Sequence, residues 1–184
     1  MLHFLLCVCS ANFLTAANIS LNEIQGFIHR FLASGKRADA NQASIIIDTF
    51  GDSPEMADVL LGLVLSETKT ATCLSLYEWQ HDMNSELTPG TLTVILDGKG
   101  RPRCVIETTH IAQMAYQDVP ADFARLEGEH HPLGLPDEEV LRHWRETHWE
   151  YFKRKLIPMG YVPTMDMPVL CEQFQLVYAE PPSL

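Results

Sequence analysis

At 184 residues, 46% hydrophobic and 20% charged, the chain has the composition of one globular domain and enough length to bury a core. Its net charge of −11 argues against charge-driven binding of long DNA or RNA, which needs many phosphate-neutralising cations. Five scattered cysteines (Cys7, Cys9, Cys73, Cys104 and Cys171) include no CxxC pair, so neither a zinc knuckle nor a disulfide framework is indicated, and a reducing, cytoplasmic setting fits best.

Residues 1–19 begin MLHFLLCVCSANFLTAA, an apolar run followed by small residues. No Lys or Arg precedes the run, so the positive region of a signal peptide is missing. The run is also too short and interrupted for a membrane helix. It reads as a disordered N-terminal extension, of the kind an upstream start codon would add, with an extra helix or a weak export signal as alternatives. Residues 20–179 then read as a single domain. Ser20 and Glu23 have the spacing of a capping box. Leu21, Ile24, Phe27, Ile28, Phe31 and Leu32 form one helical face that stops near Gly35. A polar loop and a short apolar run at 45–50 follow.

The stretch FGDSPEMADVLLGLVLSETKTAT, residues 50–72, predicts a capped helix feeding a strand. Asp52 or Ser53 suits the cap, and Pro54 the first helical position. Met56, Val59, Leu60, Leu63 and Val64 recur on one helical face. Ser66-Glu67-Thr68 breaks that period, and Lys69 to Cys73 read as extended. On a strand Thr70 and Thr72 share one face and Lys69 and Ala71 the other. A twist or bulge at the strand start would bring Lys69 and Thr72 together.

Residues 74–79 continue as a strand or a helical turn. Their aromatics, Tyr77 and Trp79, are suited to stacking on a base or to plugging one end of a barrel. TLTVILD at 91–97, the turn DGKG and RCVIETTHI at 103–111 predict a hairpin. Glu107 shares the face of Val105. If that face is buried, the carboxylate must be paired or functional. DVPADFARLEG predicts a turn and a short helix ending at Gly128. A helix over 137–157 carries the stripe Leu141, Trp144, His148, Tyr151, Phe152 and Lys155, with Arg145 beside it as a bidentate donor for a phosphate or carbonyl oxygen. VLCEQFQLVY at 169–178 predicts the last strand. Pro120, Pro132 and Pro136 bound a loop that reads as a lid. His143 and His148 are five apart rather than four, so they do not share a ligating face. Glu127, Glu129, His130 and His131 read as a polar loop. No phosphate-binding or dinucleotide-binding glycine motif occurs, and no metal or cofactor is expected.

The helix, turn and Lys-x-x-Thr strand at 50–72, together with the AxxEG, HWxxxHWxxF and DMPVxCExF stretches, resemble the ASCH domain, a member of the PUA-like superfamily, in its longer bacterial subfamily. The resemblance spans roughly residues 50–178. It implies an α+β fold, a small mixed or antiparallel β-barrel with flanking helices, and a role directed at RNA or nucleosides. Where the family's turn has Gly-x-Lys, this chain has Glu67, so if the turn needs positive φ the chain must bear strain there or turn differently. The family's acidic strand residue facing the lysine corresponds to Glu107. Lys69, Thr72 and Glu107 then match the catalytic set of small amidohydrolases that act on acetylated cytidine. In that scheme a desolvated Lys69 takes the proton of Thr72, and Glu107 tethers the lysine or shuttles the proton. Pairing with Glu107 would raise the lysine pKa and oppose this, so a purely structural Lys–Glu pair closing the barrel stands beside it. Tyr77, Trp79, Arg125, Glu127, Trp144, Arg145 and His148 are the expected substrate-binding residues. Two function classes follow: a hydrolase of a modified nucleoside amide or of RNA, or a non-catalytic binding module for RNA or a nucleotide. The expected partner is a nucleoside, nucleotide or short RNA, and not a membrane.

Overall fold

The computed structural model describes residues 21–37, 45–82, 87–129 and 134–180. The N-terminal extension, the Ser20 cap, His130 and His131 lie outside them. Helix α1 (Leu21–Ala33) buries Ile24, Phe27, Ile28 and Phe31, the face its apolar spacing predicts. That face packs on Ile45, Ile47, Leu92, Val94, Leu96 and Val105. The turn after the helix passes through Gly35 at φ +71°, a left-handed conformation glycine adopts without steric cost.

Strand β1 (Ile46–Asp48) leads to helix α2 (Pro54–Leu65). Ser53 is the cap. Its hydroxyl accepts the Met56 N–H at 3.2 Å, and Pro54 follows, where no N–H is missed. The buried residues are Ala57, Leu60, Leu61 and Val64, while Val59 is 65% exposed. The core face is therefore rotated from the predicted one. A helix containing VLLGLVL is apolar nearly all round, so its period does not select one face.

The chain leaves α2 through Glu67 at φ +56°, so the turn is kept with glutamate at the glycine position. The left-handed conformation costs a side-chain-bearing residue about 1–2 kcal/mol. The Glu67 side chain is exposed. Glu67→Gly should therefore stabilise the fold by about 0.5–1 kcal/mol, after the greater flexibility of glycine in the unfolded chain is subtracted. This is a rise of roughly 1–4 °C in melting temperature. An unchanged or lower value would show that the turn carries no strain.

Strand β2 (Ala71–Ser75) runs directly into helix α3 (Leu76–Asp82), so the aromatic segment is helical. Strands β3 (Leu92–Leu96) and β4 (Pro102–Ala115) form the predicted hairpin, with β4 longer than its apolar pattern suggests. Its turn is organised by the buried Asp97, which accepts N–H groups from Lys99 and Arg101 and the guanidiniums of Arg101 and Arg103. Helices α4 (Ala121–Leu126) and α5 (Asp137–Leu156) precede the final strand β5 (Pro168–Ala179).

The strand order is β1-β3-β4-β5-β2. β1 and β3 are parallel and the other neighbours antiparallel. This is a mixed sheet, curled into a half-barrel. α1 covers one region of its outer face. α5 covers another, placing Val140, Trp144, Phe152 and Leu156 against Ala71, Cys73, Val169 and Cys171. α2 packs on the inner face against Ile95, Ile106 and Phe174. No helix among the described residues is long and apolar enough to cross a membrane.

Candidate active site

Lys69 is fixed by its neighbours before its side chain is considered. The N–H groups of Thr68 and Lys69 both reach the Leu63 carbonyl, at 2.9 and 3.0 Å, closing α2. Thr70 then donates to the Leu126 carbonyl and accepts from the Phe174 N–H, each at 2.8 Å. The AxxEG segment is thereby pressed against the start of β2. At Gly128, with φ +67°, an added Cβ would lie 2.6 Å from the Thr68 carbonyl oxygen. A real Cβ cannot approach so closely, so glycine is what lets Glu127 and Glu129 flank the lysine.

The Lys69 side chain is 1% exposed. Its Nζ donates to Glu127 Oε2 at 3.1 Å and to Glu129 Oε1 at 2.5 Å, and lies 5.5 Å from the Phe50 ring centroid. Glu127 Oε1 in turn accepts the Trp144 indole N–H at 2.9 Å. His148 Nε2 lies 3.4 Å from the same oxygen, and its ring stacks on Trp144 with centroids 4.2 Å apart.

Burial alone would lower the Lys69 pKa, but the charges and hydrogen bonds of Glu127 and Glu129 outweigh it, and the net shift is upward. Burial likewise opposes ionisation of Glu127, yet Lys69, His148 and the Trp144 N–H bring its pKa down to about 2. His148 is raised, because Glu127 outweighs its desolvation. This cluster is a fixed ammonium–carboxylate pair. A fourth group behaves differently. Glu172, 6% exposed, accepts the Thr108 hydroxyl at 2.5 Å. Burial raises its pKa to about 7 despite that bond and the nearby Lys69 charge.

These groups border a cavity of about 710 Å³ lined by the sheet, α2, α3 and α5. Of the expected catalytic and substrate-binding residues, Lys69, Thr72, Trp79, Glu127 and His148 line it. Trp144 lies behind it and holds Glu127. Glu107 does not face the lysine. It shares Val105's face of β4, as alternation requires, but that face looks toward α1, where Arg37 and the Gln175 amide engage its carboxylate. The carboxylates at the lysine are Glu127 and Glu129 instead. Tyr77 stacks on Tyr161, with centroids 4.6 Å apart. Arg125 donates to the Leu135 carbonyl and to Asp137, and Arg145 to the Gln117 carbonyl. None of these three borders the cavity. Glu172 was missed, although a signal existed: in VLCEQF the glutamate falls between Leu170 and Phe174, on the face where the pattern calls for an apolar side chain.

The ASCH domain family model matches residues 46–178. A crystal structure of a protein from Enterococcus faecalis V583 is 32% identical, with a TM-score of 0.73 over 86% of this chain and 90% of its own. An ASCH domain from Lactobacillus crispatus JV V101 is 27% identical, with a TM-score of 0.72 over 88% and 97%. No curated protein matches. From the extent of the family match and the shared curled sheet, the chain belongs to the ASCH domain family.

Proposed function

We propose that the cavity binds a modified nucleoside and hydrolyses an amide on its base, with Thr72 as nucleophile and Lys69 as the cation that stabilises the developing oxyanion. The observation that carries this reading is that a fully buried ammonium and a half-buried threonine line one cavity. The Thr72 hydroxyl adds to the amide carbon and the carbonyl electron pair moves to oxygen. Two donors of Lys69 are committed to Glu127 and Glu129, and an ammonium has a third to offer that oxygen. Collapse breaks the C–N bond, and water then releases the acyl group from Thr72. Lys69 serves as a cation here and not as the base of the sequence-derived scheme, because its carboxylate partners hold its proton. Trp79 and Phe50 at the wall give a heterocycle flat apolar surfaces.

The lining also speaks to substrate charge. Asp48, Glu55, Glu78 and Glu150 join Glu127, Glu129 and Glu172 around the cavity, against Lys69, Arg154 and His148. Such a surface favours an uncharged nucleoside over a phosphate backbone. The test offers N4-acetylcytidine, its 5′-monophosphate and a short RNA carrying the same base to the wild type and to Thr72→Ala. Expected are release of acetate and cytidine, preference for the free nucleoside, and loss of turnover to background in the variant. Tight binding with no turnover by the wild type would overturn the hydrolase reading in favour of a binding module.

A further inference from the structure

The chemistry above lacks a base. A threonine hydroxyl attacks poorly unless a neighbouring group takes its proton. Lys69 is already protonated, and Glu127 is held ionised by three donors, which makes it a weak proton acceptor. The register of the sheet supplies another candidate. In the β2–β5 ladder Thr72 pairs directly with Glu172. Residues opposite each other on antiparallel strands project from the same face, with Cβ atoms about 4.5–5.5 Å apart. Both residues line the cavity. Thr108, from β4, holds Glu172 Oε1, which fixes the carboxylate on that face.

We propose that Glu172 is the general base of this site, taking the Thr72 proton during attack and returning it to the leaving amine. The proposal rests on the hydrolase reading and completes it. The Thr72 Oγ–H bond breaks as the Oγ–C bond forms, and the proton passes to a Glu172 oxygen. When the C–N bond breaks, its electron pair stays on nitrogen, which takes that proton back. Glu172 then removes a proton from water as the water attacks the acyl ester, and Thr72 leaves protonated. The net reaction is amide plus water giving acid plus amine.

The environment suits both directions of transfer. A carboxyl with a pKa of about 7 is partly ionised at neutral pH, and its conjugate acid is strong enough to protonate a leaving amine. The charged groups lining the cavity around it are Lys69 ahead of β2, Glu127 and Glu129 after α4, His148, Glu150 and Arg154 on α5, Asp48 on β1, Glu55 on α2 and Glu78 on α3. Of these, Lys69 is the one whose charge lowers the Glu172 pKa.

Glu172→Gln keeps the side-chain shape and an oxygen able to accept the Thr108 hydroxyl. With N4-acetylcytidine, it should lower kcat by about 10²–10⁴-fold, leave KM nearly unchanged, and keep the wild-type melting temperature. Wild-type kcat/KM should rise with pH through an ionisation near 7, and that limb should vanish in the variant. The wild-type profile needs no variant to fold: a rate independent of pH from 5 to 8 would overturn the proposal. Full activity and an unchanged limb in Glu172→Gln would overturn the base role alone, leaving Thr72 as nucleophile. No turnover by the wild type would remove the hydrolase reading and this proposal with it.

Discussion

Lys69→Met should destabilise the protein by on the order of 3–5 kcal/mol at neutral pH, the typical cost of stranding the partner of a buried charge. In a domain of this size that is a fall of roughly 6–20 °C in melting temperature. Methionine keeps most of the apolar stem, so the loss reports the charge. The pH dependence separates the two causes. In the wild type the Glu127 pKa of about 2 lies below its unfolded value near 4.5. Its pairing therefore stabilises the fold above about pH 4.5 and is lost as pH falls toward 2. Without Lys69, burial dominates and lifts the folded-state pKa above the unfolded one. The variant is then penalised as pH rises through that raised value and spared below the unfolded pKa. The gap between variant and wild type should be widest near pH 7 and smallest near pH 4. Equal gaps at both pH values, measured by thermal melts, would assign the loss to packing and not to charge.

Trp144→Ala should cost a similar amount, about 3–5 kcal/mol for a large buried aromatic. Trp144 is 2% exposed and stacks on Tyr116, 5.3 Å away, and on His148. Its indole N–H is also one of the donors holding Glu127. Trp144→Phe refills much of the ring volume but removes that donor. Phenylalanine should recover part of the loss and remain about 1.5–3 kcal/mol below the wild type, the usual contribution of a hydrogen bond to a charged group. If Trp144→Phe melts with the wild type, the bond to Glu127 contributes nothing and the residue serves packing alone. Under the proposed hydrolase function, where Glu127 positions Lys69, kcat should fall in Trp144→Phe even in protein that is fully folded.

The elements that were legible in the sequence are those written in local chemistry. The Ser53-Pro54 start of α2, the face of α1, the β3–β4 hairpin and the span of α5 each follow from residues within a turn or two of one another. The left-handed Glu67 was legible only through the resemblance, because it stands where the family's turn has glycine. The site was harder because its decisive contacts join distant parts of the chain. Lys69 and Glu127 are 58 positions apart, and Thr108 and Glu172 are 64 apart. Glu107 shows the limit most clearly. Strand alternation established that it shares a face with Val105, but only the packing of α1 decides which way that face looks. Arg145 was placed one position from the Trp144 stripe by periodicity, yet its guanidinium reaches Gln117, a partner no helical pattern reveals.

A closed barrel resists widening because every strand must slide or stretch against its neighbour. This sheet ends at β1 and β2, and both edges contribute to the same cavity, through Ile46 and Asp48 on one side and Thr72 and Leu74 on the other. Across the gap the contact is made by side chains, with Ile46, Trp79 and Leu170 clustered and Leu74 packed against them. The pocket is thus fastened like a clasp, and its girth is set by a few apolar residues instead of by a ring of backbone hydrogen bonds. Trimming or enlarging Ile46 or Leu74 would resize the chamber without breaking a strand pairing. Lys69, Glu127 and Glu129 take no part in that clasp, so such a change would leave the ammonium and its carboxylates where they are.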